Sequence, residues 1–190
     1  KPVAKIASTY NRTLQHTPKQ TPDTYVGIGG SGSFAVATKY NAGPQGFNLS
    51  HVETWFRTEL LIETVVKVEI RAGGTSISNA PKLAEGQLTY TGSSSDDVGA
   101  WHAIATDKPA GIYPNEDFYV IVTYPMGIEF PQGTVTEEPT VAGRYYYLDF
   151  NEGIWNDIQL VNGFGTMGWL MFAAEETPGN SAWLSITSPI

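Results

Sequence analysis

The chain has 190 residues, a formal net charge of −8 at pH 7 and no cysteine. Its length fits one domain, and the lack of cysteine excludes a disulfide framework, a thiolate zinc site and a cysteine nucleophile. An acidic chain without a Lys/Arg cluster repels nucleic acid, and its longest apolar stretch, Trp169–Ala174, is far below the roughly 18 residues of a membrane span. We therefore predict neither nucleic-acid binding nor membrane insertion.

The first 24 residues differ in composition from the rest of the chain. Thr, Pro, Lys and Gln dominate Thr13–Thr24, where Pro18 and Pro22 interrupt regular structure. We predict an extended N-terminal arm or linker over residues 1–24, with one edge strand at Val3–Ser8, and a single domain over residues 25–190.

From residue 25 onwards, short runs rich in Val, Ile, Tyr, Phe and Thr are separated by Gly, Pro, Asn and Ser. Such runs predict strands joined by turns. The predicted strands are Phe34–Tyr40, His51–Thr58, Thr64–Ala72, Gly86–Thr91, Ala100–Ala105, Phe118–Tyr124, Gly143–Phe150, Ile158–Leu160, Gly168–Ala174 and Trp183–Ile186. With one helical turn at Ala80–Glu85 and no long amphipathic helix, the pattern predicts an all-β sandwich or barrel.

The order of apolar and charged residues in two of these strands predicts which of their faces are buried. In Val65–Ala72, apolar residues alternate with Lys67, Glu69 and Arg71, which predicts an antiparallel strand with one buried face. Phe118–Tyr124 is apolar on both faces, so we predict a central strand covered on both sides.

The segment Gly27–Gly32 fits the spacing G-x-G-x-x-G of dinucleotide-binding loops. Such a loop must lead into a helix whose N-terminus holds the pyrophosphate. Here alternating apolar residues follow at Phe34–Tyr40, which predicts a strand, so we interpret the glycines as a flexible turn.

Candidate catalytic residues are few. The histidines His16, His51 and His102 form no local metal-binding motif, and no nucleophile elbow is present. Glu53 and Glu59 on one strand face would lie about 20 Å apart, too far for a glycosidase pair. We predict that the chain has no catalytic residues and is not an enzyme by itself.

A candidate ligand-binding surface lies around Trp55. Strand alternation places His51, Glu53, Trp55, Arg57 and Glu59 on one face. A Trp among charged residues on a sheet face stacks on a sugar ring or anchors a protein partner, so we select Trp55, Glu53 and Arg57. The alternative is that a loop or the N-terminal arm covers this Trp. We also expect the next strand to place Lys67, Glu69 and Arg71 on the same face.

Tyr146 is a second candidate ligand-binding residue. Within Tyr145–Tyr147 the rings must alternate between faces, so at least one ring points away from the core. The alternative is a cross-strand aromatic ladder.

Two oxygen-rich segments are candidate structural calcium sites. One is Ser93–Asp97, and the other combines Asp149, Asn151, Glu152 and Asp157. Neither matches the EF-hand pattern, and Asp and Asn are also ordinary turn residues. We predict no cofactor other than this calcium.

Several short sequence segments and single residues follow one another in a characteristic order. It consists of Val65–Thr75, Leu83, Gly86–Tyr90, Gly99–Ile104, Pro109, Ile112–Pro114, Glu116–Val120, Gly153–Asp157 and Gly168–Met171. This order resembles the jelly-roll accessory modules found toward the C-terminus of secreted bacterial peptidases and adhesin-like surface proteins. The resemblance implies a two-sheet antiparallel β-sandwich, jelly-roll-like, with Trp101, Trp155 and Trp169 in its core.

The resemblance also implies a function. It indicates a non-catalytic accessory or adhesion module of a larger exported bacterial protein, extracellular or at the cell surface. Its expected partners are neighbouring domains of the same polypeptide and a host or matrix protein or glycan. Two alternatives come from other classes: a carbohydrate-binding module that uses Trp55 or Tyr146, and a small hydrolase with a dispersed site.

Overall fold

The computed structural model describes residues 10–176, with the exception of residues 30, 59–62, 92–97 and 138–140. The predicted strands Val3–Ser8 and Trp183–Ile186 and the Ser93–Asp97 segment therefore lie outside the described residues. The strands are β1 (Tyr10–Leu14), β2 (Thr24–Val26), β3 (Phe34–Asn41), β4 (Phe47–Phe56), β5 (Glu63–Ala72), β6 (Lys82–Thr91), β7 (Ala100–Ile112), β8 (Asp117–Tyr124), β9 (Gln132–Thr136), β10 (Tyr145–Asp149), β11 (Ile154–Asp157), β12 (Met167–Trp169) and β13 (Met171–Glu176).

These strands form two antiparallel sheets. In the front sheet β4 pairs with β7 on one side and with β13 and then β9 on the other. Strands β1, β2 and β12 complete this sheet, and the back sheet has the order β11-β10-β3-β8-β5-β6. Several connections, including β3 to β4, β4 to β5 and β7 to β8, cross from one sheet to the other. The predicted all-β sandwich is confirmed, and the barrel alternative is wrong.

Some predicted elements differ from the structure. Ile158–Leu160 is a 3-10 turn, because the Asp157 carboxylate caps it by accepting from the Gln159 amide at 3.1 Å. The helical turn predicted at Ala80–Glu85 is wrong, since β6 already starts at Lys82. Gly168–Ala174 is divided at Leu170 into β12 and β13. The predicted strand after Gly27–Gly32 is confirmed as β3, which excludes the helix that a dinucleotide-binding loop requires.

The main core lies between the sheets. The inward residues of β4, β5 and β8 alternate with outward ones, as predicted for Val65–Ala72. The largest fully buried side chains include Trp169, Tyr124, Phe47, Phe56 and Phe118. Each buried aromatic of this size stabilises the fold by roughly 1.5–3 kcal/mol relative to exposure.

The Gln132 side chain is the largest of several polar groups that are fully buried. The Gln132 side chain is fully buried, and its amide oxygen accepts from the Tyr124 hydroxyl at 2.8 Å. Its amide nitrogen donates to the Gly133 carbonyl at 2.8 Å. Because both ends are hydrogen-bonded, Gln132 links the two sheets without an unsatisfied buried group.

Strand β8 is central in the back sheet and covered on both sides, as predicted. Its inward side joins the main core, while Tyr119 and Ile121 form an outer cluster with Ala37, Ile77 and Ala80. The turn that carries Ile77 folds over the outer side of β8. This turn starts at Gly73, whose φ of +79° is a left-handed conformation that glycine adopts without strain.

The described part of the predicted arm lies against the sandwich. Strand β1 pairs with β13, and Arg12 forms an ion pair with Glu175 at 3.1 Å. The His16 ring stacks on Tyr40 at 4.9 Å, and His16 Nε2 lies 2.7 Å from the Lys39 carbonyl oxygen. The division of the chain at residue 24 stays a prediction. Among the described residues, no helix has the length and apolar character needed to cross a bilayer.

The docking of the arm should depend on pH through His16. Burial lowers the pKa of His16 from its ordinary value of 6.5, so the unfolded chain takes up a proton at a higher pH than the folded chain. We expect the free energy of unfolding to fall as pH drops from 7.5 to about 5.5, before most carboxylates titrate. Urea denaturation of the wild type and His16→Phe, which keeps a stacked ring, measures this dependence. A slope of equal size in His16→Phe would contradict it.

Candidate functional site

The outer side of β4 carries the residues selected from the sequence. Glu53, Trp55 and Arg57 are partly exposed, whereas the intervening Thr54 and Phe56 are buried. The predicted alternation along β4 is therefore confirmed. Glu59, predicted on the same face, lies outside the described residues.

The neighbours of Trp55 differ from those predicted. Lys67, Glu69 and Arg71 were expected beside it, but they lie on β5 in the back sheet. The expectation is wrong because the connection from β4 to β5 crosses between sheets instead of forming a hairpin. The strands beside β4 are β7, which pairs Trp101 with Trp55, and β13, which pairs Phe172 with Glu53.

Four aromatic rings therefore meet on the outer side of the front sheet. The Trp55 and Trp101 ring centroids are 5.9 Å apart and nearly perpendicular. Trp101 stacks on Phe172 with centroids 4.6 Å apart, and the Trp55 indole Nε1 donates to the Tyr25 hydroxyl at 2.9 Å. We call Tyr25, Trp55, Trp101 and Phe172 the front-face aromatic cluster.

Charged side chains border this cluster. Lys19 Nζ forms an ion pair with Glu53 Oε2 at 2.5 Å and lies 5.1 Å from the Trp101 ring centroid. The Arg57 guanidinium lies 4.2 Å from the Tyr25 ring centroid, and Arg57 Nε donates to the Phe130 carbonyl at 3.2 Å. The surface therefore combines aromatic rings with positively charged hydrogen-bond donors and a negatively charged acceptor.

The Trp55 indole has a closely fitted position. A methyl group at Gly133 would come within 2.8 Å of Trp55 Cδ1, and one at Gly99 within 2.6 Å of Trp55 Nε1. The Tyr25 hydroxyl that accepts from the indole donates in turn to the Val98 carbonyl. Two glycines and a hydrogen-bond relay thus fix the orientation of the ring.

The predicted alternative for Trp55 is partly realised. The described arm reaches the cluster through Lys19, which lies over Trp101 and close to Phe172 rather than over Trp55. Trp55 and Trp101 both keep part of their surface exposed. The described part of the arm, residues 10–24, therefore borders the cluster and leaves both indoles partly exposed.

Tyr146 lies on the opposite side of the molecule. It is on β10 in the back sheet and makes an edge contact with Tyr119, with ring centroids 6.1 Å apart. Tyr146 and Trp155 are partly buried against the outer cluster over β8, and burial raises the pKa of Tyr146. Tyr146 therefore does not share a surface with Trp55.

The tryptophans expected in the core occupy different environments. Trp169 is in the main core, as expected. Trp101 lies on the outer side of the front sheet and Trp155 against the outer cluster of the back sheet. Placing these two in the main core was wrong, because both sit at outward positions of their strands.

The four candidate calcium ligands are not brought together. Asp149 Oδ1 accepts from the Asn151 and Glu152 amides at 2.9 and 3.3 Å and so shapes the β10–β11 turn. Asp157 pairs with Tyr146 at the other end of this hairpin and accepts from the Gly143 amide at 2.6 Å. In the described parts of the chain, no group of three or more His, Asp or Glu is placed to hold a metal. Calcium binding at these residues stays a prediction from the sequence alone.

The three histidines lie in separate environments. His16 packs on Tyr40, and His51 is on the outer side of β4 with Nδ1 3.0 Å from the Ser50 hydroxyl. His102 stacks on Phe56 at 4.0 Å, on the inner side of the front sheet. The dispersed hydrolase site would need a histidine and a carboxylate in one cleft, and these placements do not supply that arrangement.

No protein-family model and no curated protein sequence matches the chain. Among solved structures, the cysteine protease and lectin-like domains of Cwp84, a surface-layer-associated protein of Clostridium difficile, align with a TM-score of 0.57 at 14% sequence identity. That alignment covers 76% of this chain and 32% of the Cwp84 chain. An alanine variant of clostridial Cwp84 after propeptide cleavage aligns with a TM-score of 0.57 at 15% identity, covering 77% and 37%.

The chain spans about a third of the length of these structures. At this level of identity the likeness shows a shared fold.

Removing the Tyr25 hydroxyl should loosen the Trp55 indole. In Tyr25→Phe the Trp55 N–H loses its acceptor, so we expect a change of its indole resonance, faster hydrogen exchange and a stability loss of about 0.5–1.5 kcal/mol. Indole N–H spectra measure this, and Trp169, which donates to the Tyr146 carbonyl at 3.0 Å, is the internal control. Equal changes at both indoles would indicate general loosening and contradict the specific role of Tyr25.

Proposed function

We propose that this chain is a non-catalytic, carbohydrate-binding accessory module of a larger cell-surface protein, and that the front-face aromatic cluster contacts the sugar. The observation that carries the proposal is the pair of partly exposed indoles, Trp55 and Trp101, beside charged hydrogen-bonding groups on the outer side of one sheet.

This combination suits the chemistry of a sugar ring. The C–H faces of a pyranose are apolar and pack on indole faces, whereas its hydroxyl groups need donors and acceptors. Glu53 offers acceptor oxygens, and Lys19 and Arg57 offer donors at the border of the same cluster.

The Lys19–Glu53 ion pair at the border of the cluster is a contact that a sugar ligand can replace. In the Lys19–Glu53 ion pair, half of the Lys19 side-chain surface is accessible to solvent, whereas only 15% of the Glu53 side-chain surface is accessible. Exposed ion pairs contribute only about 0–1 kcal/mol, and the Lys19 side of this pair is exposed. Sugar hydroxyls can therefore replace Lys19 as the hydrogen-bond partner of Glu53.

The fold neighbours support the accessory role. The Cwp84 chain combines a cysteine protease with a lectin-like domain in a surface-layer-associated protein. By analogy, this chain would act beside neighbouring domains of one exported polypeptide and hold them against a glycan or a glycan-bearing protein. The separate placement of the three histidines favours the non-catalytic role over a hydrolase.

The proposal is tested by glycan-array binding followed by calorimetry with the glycan that binds best. We expect Trp55→Ala and Trp101→Ala each to weaken binding about 10-fold or more, because each removes a stacking ring. The matched control is Trp155→Ala, which removes an equally large, partly buried indole from the opposite sheet. It should leave affinity within about twofold of the wild type.

Circular dichroism and melting temperature of each variant show whether it is folded. Absence of any bound glycan would contradict carbohydrate binding and leave only the accessory role. Full binding in Trp55→Ala and Trp101→Ala, with loss in Trp155→Ala, would place the site on the back sheet instead.

A further inference from the structure

An apolar cavity of about 180 Å³ opens at one end of the sandwich. Its walls come from β2, β3, β10, β12 and the segment after β11. It is lined by Val26, Gly27, Ile28, Phe34, Tyr147, Ile158, Val161, Phe164 and Trp169. None of these residues belongs to the front-face aromatic cluster or its charged border, so the cavity is independent of the proposed carbohydrate surface.

The glycine-rich segment forms one wall of this cavity. A methyl group at Gly27 would come within 2.1 Å of the Glu129 carbonyl oxygen, so only glycine lets the chain pass so close to residues 129–131. Gly29 then turns the chain with a φ of +64°. These two constraints leave Ile28 at the cavity mouth with 41% of its surface exposed.

The opposite wall is a series of tight turns. The Val161 amide donates to the Ile158 carbonyl at 3.1 Å, and the Phe164 amide donates to the Val161 carbonyl at 3.0 Å. They place Phe164, which is 41% exposed, at the mouth opposite the glycine-rich segment. Both sides of the opening are therefore apolar and partly accessible to solvent.

The size and chemistry of the cavity restrict what can occupy it. The mouth is open to solvent, but the lining offers water few of the two to four polar partners that an ordered water needs. The walls here are hydrocarbon and aromatic side chains together with one glycine, and they carry no charged group. An apolar ring is thus a better occupant than water or a sugar.

We propose that this end cavity is a binding site for a single apolar ring. The occupant we assign is a free monocyclic aromatic compound, whose size and apolar character match these walls. Phe34, Tyr147 and Trp169 form the inner surface that the ring contacts, and Ile28 and Phe164 flank its entry.

The test titrates the full chain with toluene and, separately, with N-acetyl-phenylalaninamide, followed by methyl and indole NMR. We expect saturable shifts at Ile28, Val161 and Trp169, with a dissociation constant on the order of 1 mM for toluene. Saturable binding of toluene, with weaker or no binding of the amide, supports a free ring as the occupant. Tighter binding of the amide than of toluene would overturn this assignment in favour of a phenylalanine side chain.

Two matched variants locate the site. Val161→Phe fills the cavity and should weaken toluene binding at least about 10-fold. Val141→Phe makes the same change at an exposed residue outside the cavity lining and should leave binding unchanged. If Val161→Phe does not fold, the shift map of the wild type still locates the ligand. No saturable shifts with either probe, or shifts confined to residues outside this lining, would overturn the proposal.

Discussion

The two-residue alternation of strand β4 is the constraint on which the rest of the structure depends. Its inner side chains, such as Val52 and Phe56, are buried in the main core, while its outer side chains carry the candidate site. Because β4 is hydrogen-bonded to β7 on one side and to β13 and β9 on the other, it cannot rotate or slip without losing both sets of contacts. The same packing that stabilises the fold therefore fixes the direction in which Trp55 points.

The sequence predicts those parts of the fold that rest on local alternation. Phe34–Tyr40, Thr64–Ala72 and Phe118–Tyr124 all match strands closely, because each is long and its burial follows from side-chain order. Strand β9 was not predicted. It contains Gln132, Gly133 and two threonines, and it becomes a buried strand only through hydrogen bonds to β2, β12 and the end of β4. Such tertiary contacts leave no periodic signal in a short polar segment.

The candidate site was predictable to a similar extent. Alternation gives the outward direction of Glu53, Trp55 and Arg57, but it cannot give the strands that lie beside them. Trp101 and Phe172 come from distant parts of the chain, and only the sheet order brings them to Trp55. Strand alternation places Trp101 on the face opposite the buried Ile104. This alternation is the one sequence signal that could have suggested a surface position for the Trp101 ring.

The pairing of β1 with β13 has a mechanical consequence. Tyr10, at the start of β1, lies opposite Glu176, at the end of β13, so the first and last described strands leave the sandwich from the same point. A force that pulls Tyr10 and Glu176 apart would load the β1–β13 hydrogen bonds one after another. It would not load all of them at once, as a shearing force would. These two strands would separate at low force while β3, β8 and β5 stay paired. Under such a force the chain would therefore lengthen before its core unfolds.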